Sequence, residues 1–92
     1  MANPYIDEIG AKRWVTNGRH HRTDGPAIEY ICGTKHWYMD GLLHRTDGPA
    51  IEYSAGGRSW WLYGKVRTFN EWLNLNPDLT DDEKLMMKLT HG

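Results

Sequence analysis

The ten residues from His21 to Tyr30, HRTDGPAIEY, recur unchanged from His44 to Tyr53, a step of 23 positions. Trp14, Trp37 and Trp60 keep the same step, and so do Gly18, Gly41 and Gly64. A fixed period of this length marks a stacked array of small supersecondary units, because one unit alone cannot bury its apolar face. Each unit reads W-x-x-x-G-x-x-H-R-T-D-G-P-A-I-E-Y-x-x-G and leads through three variable residues to the next Trp. Units therefore start near residues 14, 37 and 60, in a repeat region spanning 12–66 of a single 92-residue domain.

Asn17-Gly18 and Asp40-Gly41 predict type I′ hairpins, whose two central residues both need positive φ. Tyr63-Gly64 takes that place in the third unit, and Cys32-Gly33 and Ala55-Gly56-Gly57 supply a second turn per repeat. Between the turns, Arg13 to Thr16, Ala27 to Ile31, His36 to Met39, Ala50 to Ser54 and Ser59 to Tyr63 carry β-type residues. They predict a meander with two strands per repeat. Pro26 and Pro49 push Gly25 and Gly48 to extended geometry ahead of the next strand.

After Lys65-Val66 the pattern becomes helical. Thr68 with Glu71 and Thr80 with Glu83 are capping boxes, with Pro77 between the two helices. Phe69, Trp72 and Leu73 share one face of the first helix, and Leu85, Met86 and Leu89 share one face of the second. The expected fold class is mainly β with C-terminal helices (α+β): an antiparallel β-meander of tandem repeats whose raw edge is capped by two short helices over 68–91.

In Trp60-Trp61-Leu62-Tyr63, Trp60 and Leu62 point one way and Trp61 and Tyr63 the other; Trp37-Tyr38-Met39 is apolar on both sides too. A sheet with one face in water should alternate apolar and polar residues. The helices can cover one face; the second calls for a neighbouring subunit, a protein partner or a flat ligand, and so few repeats favour a homo-oligomer. The formal charge of −1, with both signs interspersed, argues against a dedicated duplex-DNA binder. The sequence shows neither an apolar membrane-length run nor a signal peptide. The lone Cys32, read as a small semi-buried residue at a strand end, fits a reducing cytosol.

The repeated polar set, His21-Arg22-Thr23-Asp24 and His44-Arg45-Thr46-Asp47, admits two readings. In the structural one, Asp24 and Asp47 bond backbone amides as turn residues, Glu29 and Glu52 pair with Arg22 and Arg45, and His21 and His44 cap a strand end or stack on a Trp. In the functional one, the arginine forks with His and Thr donors recognise an anion, while Trp37, Tyr38, Trp61 and Tyr63 stack a base. Two copies side by side suit a ligand with two phosphates. One Cys with His20, His21, His36, His44 and His91 offers no zinc framework, and neither a nucleophile elbow nor a phosphate loop is present. Duplicated identical residues suit binding better than the asymmetric acid and base roles of catalysis, so neither an enzyme nor a cofactor is expected.

The pattern W-Y-x-(D/N)-G-x-x-H-R-x-D-G-P-A-x-E-Y resembles a family of short tandem β-repeats, loosely MORN-like, from tailed bacteriophages and giant viruses. Trp37, Asp40, Gly41, His44, Arg45, Asp47, Gly48, Pro49, Ala50, Glu52 and Tyr53 carry the likeness, with the parallel set in the first unit. The third unit departs at Thr68. The resemblance implies a viral accessory protein in a bacterial cytoplasm. Three roles follow from that expectation. The first, which the repetition of the polar set favours, is sequestration of a nucleotide-derived defence signal by that set. A second is direct inhibition of a host defence enzyme through the aromatic face, and the third is an assembly component.

Overall fold

The computed structural model of the chain describes residues 4–91, and in it all three hairpin turns have positive φ at both central positions. The values are 52° and 76° at Asn17-Gly18, 51° and 82° at Asp40-Gly41, and 51° and 79° at Tyr63-Gly64. Asn and Asp tolerate this left-handed geometry, whereas a bulky residue such as Tyr63 is an outlier there. Its ring lies 4.3 Å from the His44 ring, and its amide donates to His44 Nδ1 at 2.9 Å.

Seven strands form one antiparallel sheet in sequence-ordered succession: β1 (Tyr5–Ile6), β2 (Lys12–Arg13), β5 (Ile28–Glu29), β6 (Lys35–His36), β9 (Ile51–Glu52), β10 (Arg58–Leu62) and β11 (Lys65–Arg67). Two hairpins extend from it, β3 (Val15–Thr16) with β4 (Arg19–His20) and β7 (Tyr38–Met39) with β8 (Leu42–Leu43). Each of the first two repeats thus has a strand that changes partner at its Trp, a short return strand, and a third strand in the main sheet. The short return strands are additional to the two strands per repeat read from the sequence. Trp14 and Trp37 mark the change of partner: their amides donate to Ala27 and Ala50, while their carbonyls accept from His21 and His44.

The repeat also begins earlier than residue 12. Tyr5 pairs with Arg13 as Ile28 pairs with His36, and Ile6 pairs with Lys12 as Glu29 pairs with Lys35. The Asp7 amide donates to the Ala11 carbonyl at 3.0 Å, matching Tyr30 to Thr34 at 3.0 Å. Across the sheet, Lys12, Glu29, Lys35, Glu52 and Arg58 lie opposite one another in turn, a ladder alternating in sign. Unlike charges in facing positions favour this register over a slipped one.

Both capping boxes form, so each helix starts where the sequence places it. Helix α1 (Phe69–Leu75) occupies positions that would otherwise hold a third copy of the decapeptide. It buries Trp72 and Leu73 on Trp60 and Leu62, with Phe69, Leu79 and Met87 packed around them. Helix α2 (Asp81–His91) turns Lys84, Met87 and His91 inward and leaves Leu85, Met86 and Leu89 exposed. The expected apolar face exists, but points to solvent. Cys32 is likewise exposed, in the turn after β5, and not semi-buried as expected. Trp61 and Tyr38 are half-buried rather than bare: the Tyr38 ring neighbours His20 at 5.3 Å and His36 at 6.2 Å, and Trp61 Nε1 donates to Ser59 Oγ at 2.7 Å.

Candidate functional site

The two loops carrying His-Arg-Thr-Asp-Gly-Pro lie beside each other because their units are consecutive in the array. Three contacts lock each to the next unit. The Asp40 amide donates to His21 Nδ1 at 3.0 Å, the Gly41 amide to the His20 carbonyl at 2.8 Å, and the Arg22 amide to the Tyr38 carbonyl at 3.3 Å. One unit later the Tyr63, Gly64 and Arg45 amides repeat these bonds to His44 Nδ1, the Leu43 carbonyl and the Trp61 carbonyl. The repeated histidine therefore serves as acceptor for the next turn, which needs the Nδ1-deprotonated form. The Asp40 carboxylate also stands 3.3 Å from His21 Nδ1.

Each arginine closes its own loop. Arg22 Nε donates to Asp24 at 2.8 Å, and Nη1 to the Pro26 carbonyl and Glu29, both at 3.1 Å. Arg45 repeats this with Asp47 at 2.7 Å, Pro49 at 3.0 Å and Glu52 at 2.8 Å. Both guanidinium carbons sit 3.8 Å from a Trp ring, Trp14 for Arg22 and Trp37 for Arg45. A Cβ on Gly25 would come within 2.9 Å of Arg22 Cζ, and one on Gly48 within 2.7 Å of Arg45 Cζ. The glycine before each proline thus makes room for the guanidinium. Ala27 and Ala50 are fully buried behind the prolines. Glu29 and Glu52 take the partners expected of them; Asp24 and Asp47 instead receive an arginine side chain in place of a backbone amide.

The third Trp has no such arginine, since position 68 is Thr. Trp60 packs on Trp72, Phe69 and His91, with centroids at 4.6, 4.8 and 5.3 Å. Trp72 Nε1 donates to the Arg45 carbonyl at 2.8 Å, and buried Asn76 donates through Nδ2 to the Thr46 carbonyl at 2.7 Å. Helix α1 thus holds the second loop against the sheet.

Between the loops opens a cleft of about 590 Å³, lined by Arg22, Thr23, Asp24, Gly25, Trp37, Met39, His44, Arg45, Thr46, Asp47 and Asp78. It gathers eight of the twelve residues expected to bind a ligand. His21, Tyr38, Trp61 and Tyr63 are not in the lining. Met39 belongs because it shares a strand face with Trp37 two residues earlier, a signal the alternation carried. Asp78 comes from the turn between the helices, and nothing local in the sequence points to it. The Asp24 carboxyl is held below its ordinary range by its bond from Arg22. Burial lowers the pKa of His44, opposed by the nearby Asp78 carboxylate. Among the described residues, no group of three or more His, Cys, Asp or Glu side chains could hold a metal, and no helix is long and apolar enough to cross a membrane.

Comparison with protein-family models, curated proteins and solved structures finds no match to this chain.

Proposed function

We propose that this chain is a non-catalytic, phage-type accessory protein that binds another protein, acting as an inhibitor docked on a host defence enzyme. Its cleft accepts a basic, partly apolar segment of that partner. The cleft's charge balance carries this reading. Asp24, Asp47 and Asp78 bring three carboxylates to a lining with two arginines, and Asp24 and Asp47 are 58% and 82% exposed. Three of the five N–H groups of each guanidinium are already donated to Asp, Glu and a proline carbonyl. A phosphate would meet those carboxylates at close range, whereas a Lys or Arg side chain would be attracted to them and could lay its stem along Trp37 and Met39. Nucleotide sequestration, the role the sequence favours for this polar set, draws less support from arginines so committed, and the docking surface is the cleft rather than the aromatic face expected from the sequence.

The test is a titration of ¹⁵N-labelled protein with an amphipathic Lys/Arg peptide and, separately, with a cyclic dinucleotide. The amides of Thr23, Asp24, Thr46 and Asp47 report on the cleft. Peptide shifts that weaken between about 50 and 300 mM salt, where the Debye length falls from about 14 to about 6 Å, and disappear in Asp78→Lys support the reading. Shifts with the dinucleotide and none with the peptide would reverse it in favour of sequestration.

A further inference from the structure

Helix α2 is short and buries little. Helices under about 12–15 residues are marginal in water unless tertiary packing holds an apolar face. The eleven residues of α2 include none that is fully buried. Its inward side rests on half-buried Met87 and on His91, whose Nδ1 accepts from Arg58 Nη1 at 2.6 Å. The outward side carries Leu85, Met86 and Leu89, which are 57%, 61% and 75% exposed. The stronger apolar face of this helix is therefore the one left uncovered.

Charge along the helix selects the occupant. Asp81, Asp82 and Glu83 fill the first turn, while Lys88 and His91 lie in the last. Asp82 lies one turn before Leu85 and Met86 on the outward face, and Lys88 flanks Leu85 one turn later. Leu85 stands three residues after Asp82 and three before Lys88. A two-fold axis near Leu85 brings Asp82 of one copy level with Lys88 of another. Parallel pairing would oppose like charges instead.

We infer that α2 is a self-association surface: two copies of this chain pair their α2 helices antiparallel, packing Leu85, Met86 and Leu89 together and setting Asp82 of each beside Lys88 of the other. Such an interface is isologous and closes at two copies. Three aliphatic side chains per copy fall short of the roughly 800 Å² per partner of a standard interface, so the dimer is weak, with Kd on the order of 10–100 µM. None of Leu85, Met86 and Leu89 lines the cleft between the loops, and the inference does not depend on what the cleft binds.

Sedimentation equilibrium of the full chain from 5 to 500 µM tests this. A monomer–dimer equilibrium is expected, weakened at least tenfold in the Leu85→Gln/Leu89→Gln variant, whose changes lie on exposed positions. Lys88→Glu alone and Asp82→Lys alone should each weaken self-association. An equimolar mixture of the two variants should restore it, because the mixed pair recovers both Asp–Lys and Glu–Lys contacts. Far-UV circular dichroism checks that α2 still forms in each variant. A monomer at 500 µM overturns the inference, as does a dimer insensitive to the leucine changes or a mixture no stronger than its components.

Discussion

Replacing Gly48 by Ala should destabilise the protein, although the usual sign of such a change is the opposite. Gly48 lies outside the positive-φ set, and at such positions Ala ordinarily stabilises by about 0.4–1 kcal/mol through the unfolded chain. Here the new Cβ would stand 2.7 Å from Arg45 Cζ and 3.0 Å from its Nε and Nη1. The Trp37 ring, 3.8 Å from the same carbon, limits the retreat of the guanidinium. Expelling it breaks the bonds to the Pro49 carbonyl and Glu52 and the stacking on Trp37. The carbonyl bond is worth about 1.5 kcal/mol, the stacking about 1 and the half-exposed Glu52 pair about 0.5. The Asp47 bond adds little, because that carboxylate is mostly in water. Against the entropic gain, the net loss is about 2 kcal/mol, or about 8–16 °C in Tm for a chain of this size. Urea denaturation followed by Trp fluorescence measures it. In an Arg45→Ala background the same change should be neutral or stabilising, since the guanidinium is gone. A Gly48→Ala protein as stable as the parent, or one losing as much stability in both backgrounds, would refute the role assigned to this glycine.

Stability should fall as the pH drops below about 6.5, the ordinary histidine value. Burial lowers His20, His36, His44 and His91 below the ordinary histidine value, so the unfolded chain takes up protons first and the loss grows until the folded-state values are reached. A Tm series against pH reads this. His36→Phe should flatten that profile and hold or raise Tm at pH 7, because His36 Nδ1 is buried with no hydrogen-bond partner among the described residues. Asn76→Ala orphans the Thr46 carbonyl and the Asp78 amide and should cost about 2 kcal/mol by urea denaturation. Trp72→Phe keeps the ring contact with Trp60 but loses the Nε1 bond to the Arg45 carbonyl; a loss of about 1–2 kcal/mol in the same assay is expected.

Much of the fold was legible because its signals are local. A type I′ turn needs φ > 0 at two adjacent residues, and Asn17-Gly18 and Asp40-Gly41 supply it with no help from the rest of the chain. Capping boxes are equally local, so the starts of α1 and α2 could be read from Thr68, Glu71, Thr80 and Glu83. The half unit before residue 12 was less visible, because it shares little with the later units beyond strand-forming residues and Gly10, which stands one period before Gly33. The outward turn of Leu85, Met86 and Leu89 could not be read either. Periodicity shows that residues share a face, and only packing decides which way the face points.

The candidate site divides along the same line. Identical decapeptides announced that His21, Arg22, Asp24 and their second copies have a repeated task. The sequence alone left open whether that task was binding or architecture. Three-dimensional contacts show the histidines accepting the next turn's amide and the arginines seated on Trp14 and Trp37. They also join Asp78 to a cleft whose other residues lie 31 or more positions away in the chain. By itself, the sequence determined the period, the turns, the helix starts and the α+β class, since each depends on the backbone preferences of a few adjacent residues. Only the tertiary structure decided where the hydrogen bonds of Arg22 and Arg45 go and what charge the cleft carries, because both depend on partners that folding brings together.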